Sequence, residues 1–392
     1  MEQFTDKNLD QNVDIQFGVL PPDPVVNPEV EQTDEGLSET ENPLDINNPQ
    51  LLTIVPMAVT LESVLKRLEK RRINLLTEYQ RKDNLWDDKK KSGLIESILL
   101  KIPIPAFYFD VADEEKWEVV DGLQRLSAIH HFVLDDKVPL KLVNLEVAKG
   151  LNGKTYKDLD YRFQERIREY QISTFQILPG APDQLKFELF KRLNTGGLAL
   201  TSQEIRHALN QPVASNFVKE CSRLVQFKNA FEGKLKSDRM EDRDYVARFF
   251  AFYLLKNIRD YRPDLDTFLN QGMKALNKKP ATELISLKET FANAMESCWE
   301  IFGIYTFRKV THSDQYRKQI NKALFEAVSV NVAKSSQHRI FKLKENKEKV
   351  LNALRDLHND STFFSSLTSG TSDSSKVIYR HTKIDELFRM FD

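Results

Sequence analysis

Cysteine is scarce in this chain. Cys221 and Cys298 are the only two in 392 residues, they lie far apart, and neither belongs to a CxxC pair. That excludes a disulfide framework and a four-ligand thiolate zinc site, and leaves two reduced thiols as the expectation. Long apolar runs are missing too: no stretch approaches the ~18 uninterrupted apolar residues of a membrane span. The opening Met1-Glu2-Gln3-Phe4-Thr5-Asp6 has neither a basic nor an apolar signal region. A cytoplasmic protein with no membrane partner is expected. Basic residues are nearly absent from the first 50 positions, which hold 12 acidic residues and one basic, Lys7. Since the whole chain has a formal charge of −1, residues 51–392 carry 56 basic against 46 acidic side chains. A moderately basic body favours a polyanion such as DNA, and an acidic tail can compete for the same surface; the plainer account is a solvated tail. No internal repeat of 20 to 50 residues is present, which excludes a solenoid.

What is there suffices for two domains: the length exceeds one compact core, and 41% hydrophobic residues can fill both. Residues 1–50, rich in Asp, Glu, Asn and Pro, read as a disordered acidic leader. From Leu51 the pattern becomes regular. Leu61, Val64, Leu65 and Leu68 form the i, i+3, i+4, i+7 stripe of a helix capped by Thr60, and a second helix runs from Lys89 to about Leu100, ended by Pro103 and Pro105. Aromatic and β-branched runs at 106–111 and 116–120 around a polar turn predict a hairpin. Its second strand delivers Asp121-Gly122 to a helix beginning near Leu126. A strand at 139–145, a helix at 159–167 and a strand at 171–178 are expected to complete a sheet domain over 51–205. Residues 206–392 read as helical, with segments at 213–224, 242–255, 284–302 and 321–333. Before them, Thr201-Ser202-Gln203-Glu204 has the form of a capping box. The fold class is α+β followed by an all-α domain.

Three constellations carry chemistry. In Asp121-Gly122-Leu123-Gln124-Arg125, glycine between strand and helix lets backbone N–H groups approach an anion, and Arg125 offers a planar fork for phosphate. Asp121 at the strand end suits a divalent cation or a water; the alternative is a common Asp-Gly turn with Arg125 pairing to a carboxylate. Tyr79-Gln80-Arg81, with Trp86 and Asp87 after it, places an aromatic beside polar groups able to stack and bond a base, or else packs at a sheet edge. Lys191-Arg192-Leu193-Asn194-Thr195-Gly196-Gly197 is either a third ligand-facing loop or an ordinary helix C-cap.

Taken in order, these motifs, with Ile102-Pro103-Ile104-Pro105 and Leu200-Thr201-Ser202-Gln203-Glu204-Ile205-Arg206, resemble the bacterial DGQQR-motif domain. That domain forms the N-terminal part of GmrSD-type modification-dependent restriction systems and is related to ParB and sulfiredoxin folds. The resemblance covers roughly residues 51–210 and implies a stand-alone member, with a ParB/sulfiredoxin-like domain that binds or hydrolyses a nucleoside triphosphate in connection with foreign DNA. It implies catalytic roles for Asp121 and Gln124, Mg²⁺ at Asp121, and nucleotide contacts from Tyr79, Gln80, Arg81, Gly122, Arg125, Arg192 and Asn194. The motif's first Gln is replaced by Leu123, which removes a hydrogen bond there and bears on catalysis more than on binding. No histidine sits in an HNH-type pattern, so nuclease activity is expected from a protein partner; a non-catalytic nucleotide- or DNA-binding module and a ParB-like nuclease are the alternatives.

Overall fold

The computed structural model describes residues 53–74, 86–113, 115–180, 183–193, 201–210, 212–235, 237, 239–262, 264–314 and 316–392. The expected leader at 1–50, Tyr79, Gln80, Arg81 and Asn194 fall outside these residues. Two compact units are present, one on residues between 53 and 210 with Arg239 and Met240, the other on residues between 212 and 392.

The first unit is an α+β layer structure around a five-stranded sheet of order β1-β5-β3-β4-β2. Its strands are β1 (Ile54–Thr60), β2 (Ile73–Asn74), β3 (Phe107–Asp110), β4 (Trp117–Asp121) and β5 (Gln171–Ile177). β3 and β4 form the expected antiparallel hairpin, with a register shift between Tyr108 and Phe109. Side chains alternate between the two faces of a strand, and both faces are used. On one, Phe107, Phe109, Trp117 and Ile172 pack against α1 (Leu61–Glu69), α2 (Asp88–Leu99), α3 (Leu123–Val133) and α4 (Tyr161–Glu169). On the other, Val120, Ile177 and Tyr108 meet α5 (Asp183–Leu193) and α6 (Ser202–Leu209) through Phe187, Phe190 and Ile205. Lys186 of α5 is pinned to the sheet by a buried ion pair with Asp110, Nζ to Oδ2 2.6 Å.

Local signals set the helix starts. Thr60 caps α1 by accepting from the Ser63 N–H, Asp87 caps α2 from Lys90, and Thr201 with Glu204 forms the full capping box on α6. The expected strand at 139–145 is not formed. Leu142 exchanges backbone hydrogen bonds with Lys154 and Gly153 instead, and the Val143 and Leu145 N–H groups donate to Ser92 and Asn152 side chains. The buried Glu96 of α2 then takes the N–H groups of Glu146, Val147 and Ala148 at 3.1, 2.8 and 2.7 Å. A segment whose backbone groups are satisfied by side chains of another element has no need of a sheet neighbour. Burial works against the Glu96 charge, but the three N–H donors outweigh it and hold the carboxyl below its ordinary pKa.

The second unit is helical: α7 (Pro212–Ser222), α8 (Val225–Ala230), α9 (Glu241–Leu254), α10 (Leu265–Asn277), α11 (Ala281–Phe302), α12 (Lys322–Lys334), α13 (Gln337–Glu345), α14 (Lys347–Leu357), α15 (Ser361–Thr368) and α16 (Ser374–Arg389). An aromatic core of Phe227, Phe231, Tyr245, Phe249, Phe291, Phe307 and Phe325 fills it. Within it lies a buried ionic group in which Glu326 of α12 accepts from Arg248 of α9 at 3.0 Å and from Arg380 of α16 through Nε at 2.9 Å and through Nη2. Both cysteines are buried and burial pushes both thiols up, Cys221 to about 12, so neither is a nucleophile near neutral pH. No helix among the described residues is long and apolar enough to cross a membrane.

Candidate functional site

The turn from β4 into α3 brings Asp121, Gly122, Gln124 and Arg125 together. Gly122 is the N-cap of α3 with φ 95° and ψ 10°, a left-handed conformation that disfavours any side chain. Space forbids one as well, since a Cβ at Gly122 would lie 2.5 Å from Phe107 Cδ1 and 3.3 Å from Arg125 Nη2. The helix ladder opens with the Leu126 N–H on the Gly122 carbonyl at 2.8 Å. The N–H groups of Leu123, Gln124 and Arg125 find no backbone acceptor among the described residues, as befits a helix N-terminus. These are the donors that an anion would use.

Arg125 reaches back one helical turn. Its Nη2 donates to Asp121 Oδ2 at 2.7 Å, its Nη1 donates to the Pro105 carbonyl, and its guanidinium carbon stands 4.8 Å from the centre of the Phe107 ring. The side chain is 11% exposed against 31% for Asp121. Burial draws the Arg125 pKa below the usual guanidinium value while the Asp121 charge holds it up. Of the two open readings of this residue, pairing with a carboxylate is the one formed here. Asp121 Oδ1 has no hydrogen-bond partner among the described residues. Asp121 is aligned with Tyr108 beside the register shift in β3, the kind of irregularity that re-aims side chains near sites.

Gln124 accepts a long hydrogen bond, 3.4 Å, from the Trp86 N–H through Oε1. This ties the start of α2, where Trp86 and Asp87 sit, to the first turn of α3. Leu123 is half-buried on that same turn and is not part of either core cluster of the sheet unit. Arg192 lies elsewhere, on the helical layer covering the opposite face of the sheet, where it is 82% exposed and sits 4.0 Å from Glu188 of its own helix. His131 is turned to other partners, its Nε2 2.8 Å from the Val138 carbonyl and its Nδ1 3.3 Å from Lys91 Nζ. Pro105 and Phe107 were not expected at the site. Their signal was the Ile102-Pro103-Ile104-Pro105 motif just before β3, which carried no assigned chemistry.

This turn lies within the stretch that the comparisons pick out. Residues 62–210 match the GmrSD restriction endonuclease N-terminal domain. The match covers the sheet unit from α1 through α6 and well under half of the chain. The GmrSD-like segment thus includes the DGLQR turn, the α5 end and the α6 capping box in the order set out above. No curated protein and no solved structure matches the chain. No group of three or more His, Cys, Asp or Glu side chains able to hold a metal ion occurs among the described residues. A cation at this turn would therefore rely on Asp121, waters and the ligand's own oxygens, which is a normal way for Mg²⁺ to bind alongside phosphates.

Proposed function

We propose that the GmrSD-like domain is a nucleoside triphosphate-binding module of a DNA-associated restriction or phage-defence protein, with the phosphates received at the Asp121 to Arg125 turn. The observation that carries this reading is Gly122. A left-handed glycine, closed to any side chain by Phe107 and Arg125, sets the open N–H groups of Leu123, Gln124 and Arg125 beside a carboxylate with one unclaimed oxygen. The family's description as a restriction endonuclease N-terminal domain supports DNA as the target. Mg²⁺ at Asp121 would neutralise phosphate charge when bound; Gln124, on the first turn of α3, would orient a water or a phosphate oxygen. The ParB/sulfiredoxin likeness, the protein partner that supplies strand cleavage, the contacts from Tyr79, Gln80, Arg81 and Asn194, and a cytoplasmic setting belong to the same proposal.

A second reading, binding without hydrolysis, is favoured by Leu123. Its side chain supplies no hydrogen bond at the first position of the helix. Calorimetric titration of the full chain with ATP, GTP and CTP, each with and without Mg²⁺ and duplex DNA, tests the proposal. Micromolar binding of one nucleotide supports it. Failure of all three to bind under every condition removes it.

A further inference from the structure

We infer that Arg125 is a positioning residue for Asp121 rather than the phosphate ligand, and that nucleotide binding at this turn is consequently dependent on a divalent cation. This rests on the nucleotide reading above and names how its site works. Three contacts fix the guanidinium: the Asp121 carboxylate at 2.7 Å, the Pro105 carbonyl, and the Phe107 ring at 4.8 Å. Its charge is balanced by Asp121, and only a tenth of the side chain is exposed. A phosphate brought to Arg125 would approach a guanidinium that is already paired, with the negative Asp121 directly beside it. Nothing in that arrangement rewards an anion more than it repels one.

The same contacts suit another task. Arg125 fastens Oδ2 and so sets the plane of the carboxylate, while Oδ1 is left without a partner among the described residues and Asp121 remains 31% exposed. A carboxylate held by a neighbour through one oxygen and open through the other is oriented for a cation, as outer partners orient metal ligands generally. With a divalent cation on Oδ1, the neutral Asp121–Arg125 pair becomes a net positive site and phosphate oxygens can be drawn to both the cation and the helix N-terminus. Without it, the balanced pair offers phosphate no net attraction. Gly122 contributes by exclusion, since any Cβ there would press on the Arg125 Nη2 that holds Asp121.

The test compares the full-length wild type with Asp121→Asn, Arg125→Gln, Arg125→Lys and the Asp121→Asn/Arg125→Gln double variant. Nucleotide affinity is measured with and without Mg²⁺, binding of Mn²⁺ alone by paramagnetic resonance, and folding by thermal melts. Loss of an orienting partner commonly costs ~10–100-fold in metal affinity. Asp121→Asn and Arg125→Gln should each remove most of the Mg²⁺-dependent gain in nucleotide affinity, and the double variant should be no weaker than the weaker single one. Arg125→Lys, which retains a charge able to hold the carboxylate, should recover part of the gain and guards against misfolding of the Gln variant. A loss of Mg²⁺-free affinity in Arg125→Gln that Asp121→Asn does not share would make Arg125 a phosphate ligand and overturn the inference. Wild-type nucleotide binding that ignores Mg²⁺ overturns it while leaving the nucleotide reading intact. Mn²⁺ binding that is lost in both single variants, in a wild type that binds no nucleotide, keeps the positioning role and removes the nucleotide reading. Absence of both Mn²⁺ and nucleotide binding removes both.

Discussion

The ring of Phe107 closes the space above Gly122: a Cβ at position 122 would sit 2.5 Å from Phe107 Cδ1. Gly122→Ala therefore meets two penalties, the left-handed backbone at φ 95° and a clash with a buried ring on β3. The first costs about 1–2 kcal/mol and overpacking about 1–3 kcal/mol. The variant is expected to lose about 2–5 kcal/mol in urea unfolding of the sheet unit. Adding Phe107→Leu should return the clash part but not the backbone part. If the double variant is no more stable than Gly122→Ala alone, the ring is not what excludes the side chain.

In the helical unit, Glu326 is fully buried between Arg248 and Arg380. Glu326→Gln removes the carboxylate that Arg248 and Arg380 share and should destabilise this unit by about 3–5 kcal/mol, as breaking a buried pair from one side does. Replacing all three with Met, Leu and Met should cost far less, because the ion group is then removed together rather than split. Urea unfolding of both variants decides this. A loss under about 1 kcal/mol for Glu326→Gln would mean that the arginines are well solvated without it.

How far the sequence disclosed this arrangement differs from element to element. The α1 stripe, the hairpin of β3 and β4, and the Thr201 to Glu204 capping box were legible because each is written in side chains close together in the chain. β1 was not anticipated. It is an edge strand containing Pro56, and its centre is exposed, so neither alternation nor propensity marks it. The segment at 139–145 has strand-like composition, yet its backbone is satisfied at Leu142 by Lys154 and Gly153, at Leu145 by the Asn152 side chain and at Val143 by Ser92, about 50 residues away. At the site, the strand, glycine and helix were readable, and so in principle was the four-residue spacing that pairs Arg125 with Asp121. Pro105 and Phe107 were not, since they arrive from a neighbouring strand. Because of those contacts, Arg125→Ala removes packing on Phe107 and a bond to Pro105, and should lower the melting temperature.

Acid sensitivity has an identifiable source in His358. It is buried at the end of α14, its Nδ1 is 2.7 Å from the Leu354 carbonyl, and burial lowers its pKa from 6.5 to about 4. A histidine with a depressed folded pKa stabilises fully above its unfolded value near 6.5, and that contribution is lost as pH falls from 6.5 toward 4, because the unfolded chain takes up the proton first. The interval corresponds to about 3 kcal/mol. His358→Phe should flatten the dependence of stability on pH between 6.5 and 4.5; the remaining slope includes His381, which burial also holds well below its ordinary value. An unchanged pH profile in His358→Phe would mean that the folded protein accepts a proton at this position.

Leu123→Gln restores the amide that the DGQQR pattern carries at the first position of α3. The structure makes this a mild change for the fold, since Leu123 is half-buried on the first helical turn and belongs to neither core cluster of the sheet unit. An amide there has water within reach, so stability should change by less than about 1 kcal/mol. Its effect on a bound nucleotide depends on where charge develops. The open N–H groups of Leu123, Gln124 and Arg125 are available to ground-state phosphates in either protein. A new side-chain donor raises turnover only if it bonds more strongly to the transition state than to the ground state. One well-aligned donor is typically worth ~10²–10³ in turnover. The expected outcome is therefore faster triphosphate hydrolysis with nearly unchanged nucleotide affinity and melting temperature, measured on the two proteins side by side. Tighter binding with no gain in turnover would place position 123 among the ground-state contacts and favour a binding module over a hydrolase.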